Sequence, residues 1–438
     1  MRIAATGWIA VVLVASCKPA TTLQDPGPAV RETPSDDEAT ETPAVPATVA
    51  LLERLRAADR DHGASRYILA NYYARLGDRE ATLTQLRELE AIEGWDYPLS
   101  DDDLRGFADD PEVVAIAASL RARAPTLTHG PVAFELDAID IMPEGVAWDP
   151  RRARLLVGST AQRQILVSTT AGVTRPLVAP AQAGLLGVLG LAVDARRDQV
   201  FAASVAISWM EGFDVAIHEG SSMIHAFDLA TGDTLGRWFA PDPRAQINDL
   251  IVLSNETVLA TDSINGTVLR KAPRGLPNSV LEMLVPRDTF TSPNGIVALP
   301  GESAIAVADF DGLHRVELRD GAISPLTVPP GVHTLGGIDG LDRHDDTLIG
   351  IQNLLGPGRV WALQLAPDGR SLTRGTILDA DHPRYMGPTT GAIAGDRFLY
   401  LGNASLQMGP RGVRPAQDGQ RHVILELPLG DDRPAARD

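Results

Sequence analysis

Cysteine is almost missing from this chain: one thiol, Cys17, stands among 438 residues. A disulfide framework is thereby excluded, and so is any cysteine-built zinc or iron–sulfur site. Aromatic residues are scarce at 5%, and no apolar run is long enough for a multi-span membrane protein. Positive charge is the minority, 39 Lys and Arg against 57 Asp and Glu, and the net −18 repels phosphate backbones, so nucleic acid is not expected as a partner. A Gly-x-Ser-x-Gly elbow, a His-Glu-x-x-His pair and a phosphate-cradling glycine loop with lysine are all absent, which removes the serine-esterase, zincin and P-loop readings. What the chain has in quantity is glycine, 40 residues, and proline, 32, within 44% apolar composition. That balance belongs to a turn-rich globular body with many short strands.

The single thiol has a context. Met1-Arg2 is followed by an apolar run through Ile9 to Val14 and then by Ala15-Ser16-Cys17. A short cationic start, a short apolar core and small residues at a boundary read as a secretory signal. Val14-Ala15-Ser16-Cys17 resembles a bacterial lipobox, so residues 1–16 are expected to be removed and Cys17 to carry the lipid, palmitate included. From 17 to 48 the chain is Pro, Thr, Ala and acid, including Ser35-Asp36-Asp37-Glu38, with too little apolar surface to offset the entropy of ordering. A disordered tether is expected there, holding the folded part off a membrane of the cell envelope. Lys18 after the cysteine favours the outer membrane or the periplasmic face.

Between 49 and 124 the apolar spacing turns helical: Leu51, Leu52 and Leu55, then Ile68, Leu69, Tyr72, Tyr73 and Leu76, then Leu83, Leu86, Leu89 and Ile92. Gly77-Asp78 marks a stop and a restart. Asp110-Pro111-Glu112 opens a further helix running to Arg121. The stretch from Tyr67 to Ile92 resembles one tetratricopeptide repeat, with Leu69, Ala70, Tyr73, Gly77 and Leu86 in the family's positions. A solitary repeat cannot bury its own apolar face, so this hairpin module is expected to pack on its neighbour or to receive a protein partner.

From 130 to 430 the pattern becomes strand, turn, strand. One phrase, a leading residue followed by glycine or its substitute and then an apolar alternation, recurs at Glu144, Leu189, Asn248, Asn294, Asp339 and Thr390, in steps of 45, 59, 46, 45 and 51. A period near 45 is one four-stranded propeller blade. The fold class expected is mainly β, a six-bladed β-propeller preceded by a small α-helical hairpin module, with a disordered tail over 431–438. The strand from Phe134 to Ile141 is expected to close the ring by completing the last blade. The long second step reflects an insertion, about Ile207 to Ser222, which is either a lid or binding loop or a plain decoration.

Residues at one phase of such a repeat converge on the central channel, and four of the six leading residues, Glu144, Asn248, Asn294 and Asp339, are oxygen donors. Oxygen ligands with two carboxylates suit a hard divalent cation, calcium above all. The competing explanation is that Asn-Gly and Asp-Gly are turn dipeptides at strand starts. A second set, Ser159, Asp262, Asp309, Asn353 and Asn403, falls where the next strands return to the same face. It either lines a mouth for a hydroxylated or lactone substrate or caps turns.

Pro143-Glu144-Gly145-Val146-Ala147-Trp148-Asp149, Asn248-Asp249, Ser292-Pro293-Asn294-Gly295-Ile296 and Ile338-Asp339-Gly340-Leu341, in that order, resemble the gluconolactonase, regucalcin and paraoxonase-like six-bladed propellers. The resemblance covers about Ala133 to Leu427. It implies Glu144, Asn248, Asn294 and Asp339 as ligands of a divalent metal, often calcium, Asp339 as the catalytic group, and Asp249 beside the site. It implies hydrolysis of lactones or related esters. Blade two departs from the pattern, since its leading residue is Leu189 and its phrase holds no histidine of the kind paraoxonase-type members use; His218, His333 and His382 are the loop histidines within reach of the mouth. Substrate contacts are expected from Asp249, Asp262, Asp309 and Asn353. The alternative function is a protein-binding propeller whose metal only braces the channel.

Overall fold

The computed structural model describes residues 63–100, 103–404, 406–409, 412–415 and 421–430. The signal at 1–16, Cys17, the tether over 17–48, the helical spacing of Leu51 to Leu55 and the tail over 431–438 lie outside the described residues. Among the described residues no helix is long and apolar enough to cross a membrane.

Six four-stranded antiparallel sheets form the blades of a β-propeller. Their inner strands are Pro143–Asp149, Gly187–Asp194, Ile247–Val252, Ile296–Ala298, Ile338–His344 and Gly391–Ile393. We number blades one to six in that order. Each blade is apolar on both faces, so its second and third strands read as nearly unbroken buried runs, such as Val258–Asp262 and Ala304–Ala308. Blade six is completed from the other end of the chain: Val132–Ile139 pairs antiparallel with Arg421–Pro428 as its outermost strand. The ring therefore closes without an open inner edge.

Among the described residues three α-helices precede the ring: α1 (Gly63–Leu76), α2 (Arg79–Ala91) and α3 (Pro111–Arg123). Gly77 takes a left-handed φ of 74° to end α1, and Asp78 then caps α2 by accepting the amide of Ala81. Asp110 caps α3 in the same way, with Pro111 in its first turn. The helices do not close a core by themselves. Tyr67, Leu69, Leu83, Leu86, Leu89, Trp95 and Tyr97 form one apolar cluster with Phe310 of blade four and with Leu354 and Leu355 of blade five. Arg359, 2% exposed, lies flat on the Tyr97 ring at 3.6 Å and pairs with Asp96 at 3.1 Å. The helical segment is thus seated on the propeller face where the inner strands begin.

Candidate functional site

In blades one, two, three and five the repeated phrase is a β-bulge in the inner strand. Pro143 pairs with Ser159 and Val146 with Val157, so Glu144 and Gly145 together oppose one residue. The same extra residue falls at Leu189-Gly190, Asn248-Asp249 and Asp339-Gly340. A bulge re-aims one side chain out of the strand's alternation, and here the leading residue of each phrase is what it re-aims. The glycine that follows is required by close approach rather than by a turn. A Cβ on Gly190 would lie 2.7 Å from the Asn248 carbonyl oxygen, and one on Gly340 would lie 2.8 Å from that of Thr389. Neighbouring inner strands touch backbone to backbone at this level. Blade three alone carries a side chain there, Asp249, whose carboxylate accepts the amides of Leu250 at 2.8 Å and of Ile296, on the next blade, at 3.3 Å.

Four leading residues form a polar group at one end of the channel. Asn294 donates its Nδ2 to Asp339 Oδ1 at 2.6 Å, and Asn353 Nδ2 donates to Asp339 Oδ2. Asn248 donates its Nδ2 to Ser263 Oγ at 3.0 Å, and Ser263 hydrogen-bonds onward to the Pro293 carbonyl beside Asn294. With their nitrogens so committed, both amides keep their carbonyl oxygens for another partner. Glu144 is 2% exposed, and among the described residues its Oε2 has no hydrogen-bond partner. The other two leading residues are used differently. Thr390 holds the seam to blade one by donating to the Glu144 carbonyl and accepting the Val146 amide. Leu189 packs among Leu186, Val205, Ile207, Met210 and Met223.

Burial sets the electrostatics. It pushes the Glu144 carboxyl well above the usual carboxylate range, with the Asp339 and Asp249 charges adding to the effect. Asp339 is pushed up to about 7 by burial, against the pull of the Asn353 and Asn294 amides. Asp249 rises to about 8, again through burial first, with Asp342 and Asp339 contributing. Asp342 rises to about 7 by burial. Asp249 and Asp342 line a cavity of about 330 Å³ between the inner strands of all six blades. Four carboxylates therefore share one channel, and among the described residues no Lys, Arg or His side chain makes a hydrogen bond or ion pair with them.

That arrangement fits a divalent cation: a buried carboxylate oxygen lacking a partner, a second carboxylate beside it, and two amides with oxygens to spare. Among the described residues no three His, Cys, Asp or Glu side chains surround one point. A cation here would accordingly need Asn248 and Asn294 for half of its protein ligands.

The second set of expected residues is largely corrected. Asp262, 1% exposed, accepts the amides of Gln246, Ile264 and Asn265 and the Asn265 side chain. Asp309, 3% exposed, accepts the amides of Thr291, Asp311 and Gly312 and the His314 ring. Ser159 accepts the Gln162 amide, and Asn403 bonds the backbone of Arg421 and Val423. Ser159, Asp262 and Asp309 are thus turn caps, and Asn403 ties the end of its strand to the next. Asn353 alone of the set reaches the site, and the reason is register: Ser159, Asp262 and Gln352 are the residues paired with the inner strands, and Asn353 lies one position later, as do Thr160 and Ser263. A shift of one residue moves a side chain to the other face of a strand. We expect Asp262→Ala to lower stability by on the order of 1–3 kcal/mol, through orphaned amides, while leaving any substrate's KM unchanged. Thermal unfolding alongside steady-state kinetics would check both halves.

None of the three loop histidines points into the channel cluster. His218 accepts the Asp214 amide and stacks on Phe213 within the insertion, His333 lies against Gly94 of the helical segment, and His382, buried, accepts the Arg384 amide beside Tyr385. The insertion covers the blade-two side of the mouth. Trp209 donates its Nε1 to Thr160 at 3.1 Å, while Ile207 and Met210 bury themselves against Leu189. Asp342 and Ser263 were missed in the sequence. Asp342 was readable as a second acid three residues after Asp339 on one inner strand, whereas Ser263 carried no signal apart from register.

No protein-family model and no curated protein sequence matches the chain. Solved structures resemble it in fold. A gluconolactonase from Xanthomonas campestris, 18% identical, aligns over 70% of this chain and 93% of its own with a TM-score of 0.43. The calcium-binding protein regucalcin from Agrobacterium tumefaciens, 17% identical, aligns over 71% and 99% with a TM-score of 0.46. The major allergen Mala s 1 of Malassezia sympodialis, 12% identical, aligns over 66% and 95% with a TM-score of 0.50.

Proposed function

We propose that this protein is a divalent-cation-dependent hydrolase of lactones or related esters, displayed from a lipid anchor on Cys17. The observation that carries the reading is the unpartnered, buried Glu144 Oε2 beside the Asn294–Asp339–Asn353 group. Glu144, Asn248, Asn294 and Asp339 are the residues that would hold the cation, with calcium the best match to their oxygens. A cation bound there supplies positive charge against the buried carboxylates and polarises a carbonyl oxygen of the substrate.

In that reading Asp339 is the proton-handling group. Burial holds its carboxyl up to about 7 in the cation-free chain, and beside a bound cation it would fall and stay ionised to accept a proton. Asn294 and Asn353 fix the carboxylate plane from both sides. Asp339 accepts a proton from water as the water oxygen adds to the carbonyl carbon. It returns that proton to the ring oxygen as the carbon–oxygen bond of the lactone breaks, and the product is a hydroxy acid. Thr389 and Thr390, through the Glu144 carbonyl, keep the blade-one bulge in place across the seam with blade six. The testing experiment is turnover of a lactone and ester panel by protein beginning near Ala47, with calcium and with chelator. Calcium-dependent ring opening supports the proposal. A metallated protein inert on every lactone and ester would overturn it in favour of a protein-binding propeller. The anchor is tested separately, since Cys17→Ala should no longer incorporate labelled palmitate.

A further inference from the structure

Between Gln352 and Gly356, Asn353 alone turns to the channel, and each of its neighbours is held by the helical segment. Tyr97 donates its hydroxyl to Gln352 Oε1 at 2.6 Å. Leu354 and Leu355 sit in the helical core, and the Gly356 amide donates to the Tyr67 hydroxyl at 2.9 Å. The chain leading into Asp339 is gripped by the same residues. Gln352 Nε2 donates to the Gly336 carbonyl at 2.7 Å, the Tyr97 hydroxyl lies 3.2 Å from the Thr334 carbonyl, and His333 abuts Gly94. Trp361 donates to the same Gln352 oxygen at 2.9 Å, so Gln352, wholly buried, is tied on every side.

We propose that the helical segment is a working part of the channel site, with Tyr97 as a positioning residue that acts through Gln352 to hold Asn353 against Asp339. Two segments carry the Asp339–Asn353 pair, and both end in contacts with the helices. The strand pairings at this point, Ile338 with Gln352 and Gln352 with Arg359, are the last before the chains diverge into loops, and Asn353 Nδ2 also donates to the Pro388 carbonyl at 2.8 Å. Without the clasp, Asn353 would sit on a loop of glycines and proline, Gly356-Pro357-Gly358, whose ordering entropy the blade alone does not offset. A glycine-rich loop next to a site that must present an amide within hydrogen-bond range of a carboxylate needs an external support, and Tyr97, Tyr67 and Asp96, the last through its pair with Arg359 of blade five, provide it. As far as it concerns cation binding, this inference rests on the function proposed above.

The test is a double-mutant cycle on the whole chain with Tyr97→Phe, Asn353→Ala and the double variant. Removal of one buried hydroxyl should weaken calcium affinity, measured by calorimetry, by about three- to tenfold. Because Tyr97 acts through Asn353, the double variant should bind calcium no more weakly than Asn353→Ala alone. Additive losses would make Tyr97 a general structural residue and overturn the proposal. A second measurement stands apart from the cation. Amide hydrogen exchange in Tyr97→Phe should quicken at 334–340 and 352–356 while blades one to three keep the wild-type rates. Should wild type bind no calcium, the metal reading falls and the exchange pattern alone decides the clasp. Unchanged exchange at those segments, or acceleration throughout the propeller, overturns it.

Discussion

Asp339→Asn should abolish turnover and weaken cation binding together, the largest effect expected of any single substitution in this chain. Both carboxylate oxygens of Asp339 accept amide N–H groups, from Asn294 at 2.6 Å and from Asn353. An asparagine there has only one oxygen. Whichever way it turns, its own NH2 faces another NH2, which costs on the order of 1–3 kcal/mol for the unmade bond. A negative charge is lost at the same time from a site with two carboxylates beside the cation, and so is the ability to take a proton. Turnover at saturating calcium should fall by at least about 10²–10⁴-fold. Asn294→Asp fails in the opposite way. It sets two carboxylates oxygen to oxygen, so its cation-free form is destabilised while saturating calcium restores much of its activity. Metal content must be measured in each variant, because an empty site mimics a lost base. If fully metallated Asp339→Asn opens lactones at the wild-type rate, Asp339 is not the proton acceptor.

The second large effect is on stability. Asp339 and Asp342 at about 7, Asp249 at about 8 and the elevated Glu144 all hold protons in the folded chain that the unfolded chain has already released. Such groups contribute stability that is fully present below the unfolded carboxylate range, about 4, and is lost as pH rises through about 7 to 8. The cation-free protein should therefore lose melting temperature between pH 6 and pH 8.5. Calcium, which binds the ionised forms, should reverse that loss, so the gap between calcium and chelator should widen with pH. At about 100 times its Kd, calcium adds about 2.7 kcal/mol. For a domain of this size that amounts to a shift of roughly 3–5 °C. Buried His225, lowered to about 4, and His382 and His422, also lowered, pull the other way at acid pH. None of them interacts with the channel carboxylates, so they cancel when calcium is compared with chelator at one pH. Glu144→Gln supplies the internal control. It relieves the buried charge, so the cation-free form should gain stability at pH 8.5 as the calcium response shrinks. Scanning calorimetry at pH 6 and 8.5 reads all of this, and superimposed curves with and without calcium at pH 8.5 would remove the cation from the site.

Much of this architecture is legible because it repeats. The 45-residue spacing of Glu144, Leu189, Asn248, Asn294, Asp339 and Thr390 reports one blade per phrase. The apolar strand at Phe134 has no partner until the far end of the chain supplies one, and it pairs there with Arg421–Pro428. The leading residues were found by phase, since in blades one, two, three and five a bulge at the same point re-aims the same position. The glycines after them were ambiguous, because a turn dipeptide and a close backbone approach ask for the same residue. Only the distance from one inner strand to the next separates the two.

Where the reading slipped, it slipped by one residue or through the fold's long-range contacts. Asp262 and Asp309 were expected to contact substrate and cap turns instead, because the residue that reaches the site in blade five, Asn353, lies one position beyond the strand pairing, and sequence spacing fixes an alternation without its origin. Asp342 went unread as a channel group, although it stands three residues after Asp339 on the same inner strand. Tyr97 and Gln352 stand 255 residues apart, and no local period links them. What the sequence by itself determined is the repeat: blade number, ring closure and the shared phase of Glu144, Asn248, Asn294 and Asp339 all follow from short-range patterns that each blade must satisfy to bury its two faces. What only the tertiary structure decided is which polar groups go without partners. Burial and hydrogen-bond supply are sums over neighbours from every blade and from the helices, and they leave Glu144 Oε2 bare while they satisfy Asp262 and Asp309 in full.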